Sequence, residues 1–186
     1  LCEAGCYDLG ESRPQQLWEK SEQLASLPIR WHMIGHLQRN KLKRTLPVVS
    51  LLHSVDSLKL LNGVQAWAAE HQQTIPILIE VNVSRESEKH GFIPQDVEPA
   101  IRVAHDSTWL DVQGLMCMAS LEGGPDVARA NFRELRTLRD EIRSCIPNGP
   151  ELNELSMGMS RDYGIAIEEG ATIVRVGSTL FEGVDR

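Results

Sequence analysis

Short apolar runs alternate along the chain with longer stretches whose apolar residues recur every three or four positions. The first pattern reads as buried strand and the second as amphipathic helix. The clearest run is 75–83, nearly continuous in Ile, Leu and Val, as expected of a strand covered on both faces. Further strands are expected over 7–9, 30–34, 48–53, 110–116, 152–155 and 171–176. Between them lie helical patterns. Residues 1–8 begin as the tail of a helix closed by Gly5. Pro14 opens a helix whose apolar members are Leu17, Trp18, Leu24 and Leu27, and Pro28 stops it. A helix over 39–46 is broken by Pro47. Ser54, Asp56 and Ser57 offer N-caps for a helix reaching His71, with Leu58, Leu61, Val64 and Ala68 on its apolar side. Helices follow over 94–104, 126–145 and 161–169, the last ended by Gly170.

About seven strands alternating with helices predict parallel βαβ units in a single domain over 1–186. With one further unit ahead of them they would close a (β/α)8 TIM-type barrel, here lacking its first strand. An open Rossmann-like sheet is the alternative, although no Gly-rich turn follows a first strand. In a barrel the functional residues belong at the C-terminal ends of strands. The polar turns at 10–13, 35–38, 53–57, 82–91, 156–160 and 177–179 fall there.

Two of those turns carry the densest chemistry. Leu155-Ser156-Met157-Gly158-Met159-Ser160 and Val174-Arg175-Val176-Gly177-Ser178-Thr179 each join an apolar run to a small, hydroxyl-rich corner ahead of a helix start, with Ser160 and Asp162 placed as N-caps. Glycine admits an anion close to backbone N–H groups, hydroxyls add donors, and a helix N-terminus adds partial positive charge. Side by side they would form a phosphate cup. Arg175 points opposite to Val174 and Val176, so it needs an anion or acceptor wherever it is aimed.

Composition narrows the picture. The formal charge of −7 argues against a general nucleic-acid or membrane-surface role, and the cluster Arg39, Lys41, Lys43, Arg44 reads as a solvated helix face. No apolar run approaches a membrane span and no signal peptide is visible. Cys2 and Cys6 lack a second ligand pair for zinc, Cys117 reads as core, and the usage fits a reduced, cytoplasmic protein. The first residue is leucine, which is not expected of a natural start.

The motifs, taken together, resemble the pyridoxal phosphate homeostasis family, also called YggS/PROSC. The matching stretches are Gly10-Glu11-Ser12-Arg13, Trp31-His32-Met33-Ile34-Gly35-His36-Leu37-Gln38-Arg39-Asn40-Lys41, His53-Ser54-Val55-Asp56-Ser57, Lys89-His90-Gly91-Phe92, Gly114-Leu115-Met116, Leu155 to Ser160 with Asp162, and Arg175-Val176-Gly177-Ser178. The resemblance implies a barrel of the alanine-racemase N-terminal-domain kind, fold type III among pyridoxal phosphate (PLP) proteins. It implies a protein that binds PLP without catalysis, holding or delivering it, with PLP-dependent apoenzymes as recipients and a monomeric intact form. It places the phosphate against Met157, Gly158, Met159, Ser160, Gly177 and Ser178, with the pyridine nitrogen at Arg175. His36 is expected to line the pocket. The family's Schiff-base lysine is expected on a strand upstream of residue 1. None of Lys20, Lys41, Lys43, Lys59 and Lys89 matches that position. Ser12 stands where many relatives have asparagine.

No metal site is expected. His32 and His36 are four apart, but Gly35 lies between them and His32 sits on a strand. His32 reads as a hydrogen-bonded core residue, and His53 as either a pocket or a helix-start residue. Asn40, Asn82 and Lys89 read as loop-ordering residues. A racemase-like enzyme would need a second acid–base group, and the chain has only Tyr7 and Tyr163. A binding protein with a vestigial cofactor site is the remaining alternative. A barrel short of one strand leaves two edges open to dimerisation.

Overall fold

The computed structural model describes residues 1–120 and 122–183. One sheet takes seven strands in chain order, each parallel to the next. They are β1 (Asp8–Glu11), β2 (Arg30–Met33), β3 (Leu51–Val55), β4 (Ile75–Glu80), β5 (Leu110–Met116), β6 (Glu154–Met159) and β7 (Ile173–Arg175). Helices α1 (Pro14–Gln23), α2 (Leu42–Thr45), α3 (Leu58–His71), α4 (Pro94–His105), α5 (Gly124–Cys145) and α6 (Tyr163–Glu168) connect them.

The sheet curves into a barrel. His53 on β3 touches Ser156 on β6 although β4 and β5 lie between, which only a sheet closing across its own interior allows. The ring stays open between β1 and β7, the two outer strands. Alternation sorts the side chains. Ile77, Ile79, Val112, Leu115, Leu155 and Met157 face the helices and belong to the large core. Leu51, Leu78, Met116 and Ile173 form a small apolar layer inside the barrel. The rest of the interior is polar, unlike the Val, Ile and Leu layers that usually fill such barrels.

Local chemistry explains the elements. Ser57 caps α3, accepting from the Leu60 amide at 3.3 Å. Gly5, at φ 79°, closes a short 3-10 turn (Cys2–Ala4). Gly170, at φ 92°, follows α6. That helix is tied to α5 by Glu169, whose carboxylate takes Arg133 at 2.9 Å and both Arg129 and Arg136 at 3.2 Å. This clamp fastens the C-terminal end of α6, ahead of β7, to α5.

Several boundaries differ from the sequence reading. β6 runs over Glu154–Met159 rather than 152–155, so Ser156, Met157 and Gly158 are strand and not turn. The expected helix 39–46 is instead a 3-10 turn (Arg39–Lys41), α2 and a second 3-10 turn (Leu46–Val48), with Pro47, which cannot donate, ending α2. That second turn consumes Val48, so β3 starts at Leu51. β7 is shorter than 171–176, and β4 ends at Glu80. Leu27 and Leu58, expected on apolar faces, are exposed, the first because α1 ends at Gln23. Among the described residues no helix is long and apolar enough to cross a membrane. The expected domain also includes residues 121 and 184–186, which lie outside the described residues.

Candidate functional site

Five side chains form one hydrogen-bonded line across the barrel, from exposed Asp8 to partly buried Arg175. Asp8 Oδ1 lies 3.3 Å from His32 Nε2, and His32 Nδ1 lies 2.8 Å from His53 Nε2. His53 Nδ1 is 2.9 Å from Ser156 Oγ, which is 2.6 Å from Nη1 of Arg175. Burial pushes the His53 imidazole down to about 2 and lowers His32 as well, so both rings are neutral. The Asp8 carboxylate can only accept; the Arg30 guanidinium beside it holds it below its ordinary value. His32 Nε2 therefore donates and its Nδ1 accepts. His53 Nε2 then donates and its Nδ1 accepts, which leaves Ser156 Oγ as donor to His53 and acceptor from Arg175. The direction of every bond follows, from arginine cation to aspartate anion.

Arg175 is the cationic end. Nη1 also donates to the Ser156 carbonyl at 2.8 Å, and Nη2 to the Cys117 carbonyl at 2.8 Å. Burial lowers its pKa. All these partners are neutral. They account for both Nη1 protons and one Nη2 proton, leaving Nε–H and one Nη2–H among the described contacts.

Beside it, the ends of β6 and β7 make a corner. The Gly177 amide donates to Ser160 Oγ at 3.2 Å, joining the two turns. The Met159 amide donates to Asp162 Oδ1 at 2.6 Å, so Asp162 orders the turn before α6 instead of capping the helix by its side chain. Gly158 sits at φ 89°, and a Cβ there would lie 2.5 Å from the Ala166 Cβ, so α6 packs directly on the strand end. A Cβ on Gly177 would meet nothing within 4 Å, so the space before the turn is open. Ser178 begins a 3-10 turn (Ser178–Phe181) and is exposed, as is Met159, while Met157 points away into the helix-facing core. Of the predicted set, Gly158, Met159, Ser160, Arg175, Gly177 and Ser178 thus cluster at one mouth; the Met157 side chain does not.

His36 lies elsewhere on the same rim. Its Nδ1 is 2.7 Å from Asp56 Oδ2, and its ring stacks on His90 with centroids 4.0 Å apart. Nothing in sequence spacing joins these three residues. Glu80 was also missed: it is buried at the end of β4, inside the mouth, and burial with the nearby Asp56 charge pushes it up to about 7. A strand ending Ile-Leu-Ile-Glu was the available signal. Lys89 is tied down by Glu86 Oε1 at 2.7 Å, the Ala119 carbonyl at 3.0 Å and Ser84 Oγ at 3.2 Å, and Asn82 holds the Glu86 carbonyl at 2.8 Å. Both order their loop, as expected. Cys117 is fully buried and its thiol is pushed up to about 12.

Residues 1–184 match the family described as alanine racemase, N-terminal domain. A pyridoxal phosphate homeostasis protein of Aquifex aeolicus is 41% identical over 172 residues, covering 92% of this chain and 75% of that protein. The chain belongs to the pyridoxal phosphate homeostasis family. PipY of Synechococcus elongatus, solved without PLP, superposes with a TM-score of 0.91 at 33% identity, covering 97% of this chain and 84% of that one. Its PLP-bound form superposes at 0.89 and 32% identity, with the same coverage. Alanine racemase of Clostridium difficile, 13% identical with a TM-score of 0.80, covers 97% of this chain and 46% of that one, and shares the fold.

The donor set fits the group after which the homeostasis family is named. A partly buried guanidinium with neutral partners and spare N–H groups faces the barrel interior. Next to it lies an open corner bordered by two serine hydroxyls and two glycines.

Proposed function

We propose that this chain binds pyridoxal 5'-phosphate at the β6–β7 mouth and holds it without catalysing a reaction. The phosphate sits against Gly158, Met159, Ser160, Gly177 and Ser178, with Met157 setting the strand end from behind. The pyridine nitrogen faces Arg175. The single observation that carries the reading is Arg175, a partly buried cation whose hydrogen-bond partners are all neutral. An arginine can only donate, so the nitrogen it meets accepts and stays unprotonated. When bound, the cofactor supplies a reactive aldehyde and an electron-accepting ring; without a ring proton that ring is a weaker sink, which suits a carrier better than a transaminase. His36 lines the far rim. The recipients are PLP-dependent apoenzymes, the compartment is the cytoplasm, and the net charge of −7 supports a role away from nucleic acid.

Glu80, pushed up to about 7, is the observation that favours a racemase-like second reading, since a base near neutrality suits proton abstraction. Two experiments separate the readings. Equilibrium dialysis should show PLP binding at least about tenfold more tightly than pyridoxal, because one charge-assisted phosphate contact is worth about 1.5–3 kcal/mol. Equal binding would contradict the phosphate corner. Exchange of the Cα proton of alanine in deuterated water, with PLP present, should not exceed that of free PLP. Catalysed exchange abolished by Glu80→Gln would establish the enzyme reading instead.

A further inference from the structure

We infer that His36, Asp56 and His90 form a binding site for a divalent first-row cation of the zinc type that needs no bound cofactor. The three residues come from the loops after β2, β3 and β4, so three successive strand ends converge on one point of the rim. One ligand atom from each lies within 4.8 Å of the others. His36 Nδ1 is 2.7 Å from Asp56 Oδ2, and His90 Nδ1 is 3.6 Å from the same oxygen. Donors bound tetrahedrally at about 2.0–2.1 Å from zinc stand roughly 3.4 Å apart, so the observed spacings bracket that value.

The anchor is fixed and the other ligands can adjust. The Asp56 side chain is 6% exposed, and its second oxygen accepts from Ser57 Oγ at 2.9 Å, which aims Oδ2 at the imidazoles. The His36 and His90 side chains are 41% and 57% exposed. Their rings now lie 12° from parallel, so a shared cation requires them to splay, and that exposure leaves room to do so. Two imidazole nitrogens and one carboxylate oxygen are the donors zinc takes when a fourth position stays open to water or a ligand. The proton now between His36 and Asp56 is what the cation replaces. Both histidines are loop residues, and the ligands lie 20 and 34 residues apart, which is why spacing did not reveal them.

The test needs no PLP, so its outcome is independent of the cofactor reading. Co²⁺ is titrated into metal-free protein and its d–d absorption followed, then Zn²⁺ is added to displace it. The expected result is one equivalent bound, no thiolate-to-cobalt charge-transfer band, and at least a tenfold loss of affinity in the His36→Gln/His90→Gln double variant. Both histidines are exposed, and far-UV circular dichroism checks that the variant folds. An unchanged titration in the double variant, a charge-transfer band from the cysteines, or no binding by the wild-type protein would each overturn the assignment.

Discussion

The Ser156 hydroxyl donates to Nδ1 of His53 across 2.9 Å, joining residues 103 positions apart through the centre of the barrel. That bond fixes the polarity of the line from Arg175 to Asp8. It also means that Arg175 is positioned from behind by groups that are themselves held in place. The expected tautomer is Nε2–H for both His53 and His32, readable by ¹⁵N chemical shifts of the imidazoles at neutral pH. A protonated Nδ1 on either ring would reverse part of the line and contradict the assignment.

The same pair sets an acid response. His53 has a folded pKa of about 2 against an ordinary 6.5, so between those values the unfolded chain binds a proton that the folded one does not. Its contribution is complete above about 6.5 and is lost as pH falls toward 2, at about 1.4 kcal/mol per pH unit. His32 is shifted in the same direction. Urea unfolding as a function of pH should therefore be shallower below pH 6 in His53→Gln than in the wild type, by roughly one proton. Parallel curves would contradict a neutral buried His53.

Glu80 acts with the opposite sign. Its folded pKa of about 7 lies above the ordinary 4.5, so the folded state holds the extra proton and stability falls as pH rises from 4.5 to 7. Glu80→Gln should stabilise the protein at pH 8, where the wild type must bury a charge. The difference should disappear near pH 4.5, and Tm of the two proteins at both pH values measures it. In the window from 4.5 to 6.5 the His53 and Glu80 slopes partly cancel, so the steepest acid loss is expected below 4.5.

Gly158→Ala should destabilise by about 1–3 kcal/mol, because alanine resists φ 89° and its Cβ would meet Ala166 at 2.5 Å. Gly164→Ala is the control: it lies in α6 with nothing within 4 Å of its Cβ, and alanine favours helix by up to about 1 kcal/mol. Thermal melts of both variants decide. Equal effects would mean that the corner is looser than described.

What the sequence disclosed follows the range of the forces involved. β5 matches its predicted 110–116 because Leu110 and Val112 alternate with Asp111 and Gln113 and lead into the buried pair Leu115 and Met116. α3 starts where Ser57 caps it, one local bond being enough. β6 was misplaced because Ser156 and Gly158 carry turn chemistry locally. Tertiary contacts overrule it, with Arg175 holding Ser156 and Ala166 packing on Gly158. The residues of the β6–β7 corner were legible as motif, since each turn is contiguous. The Asp8–His32–His53 line and the His36–Asp56–His90 cluster were not. Each joins separate strands or the loops after them, and such pairs exist only once the strands have paired.

Borohydride reduction gives an independent check on the lysines. Lys89 is held by Glu86, Ser84 and Ala119, and Lys20 by Glu11, and neither sits at the β6–β7 corner. With PLP present, reduction of this 186-residue chain should leave no stoichiometric lysine adduct in the mass spectrum. One adduct mapped to a single lysine would require a different placement of the aldehyde.

The most direct measurement is the PLP dissociation constant of the wild-type protein against Arg175→Gln, by isothermal titration calorimetry, with Lys59→Gln as a distant control. Losing a hydrogen bond from a charged donor costs about 1.5–3 kcal/mol, so Arg175→Gln should bind roughly tenfold to a hundredfold more weakly while the control is unchanged. An Arg175→Gln protein that is folded and binds PLP as tightly as the wild type would contradict the placement of the cofactor at this mouth.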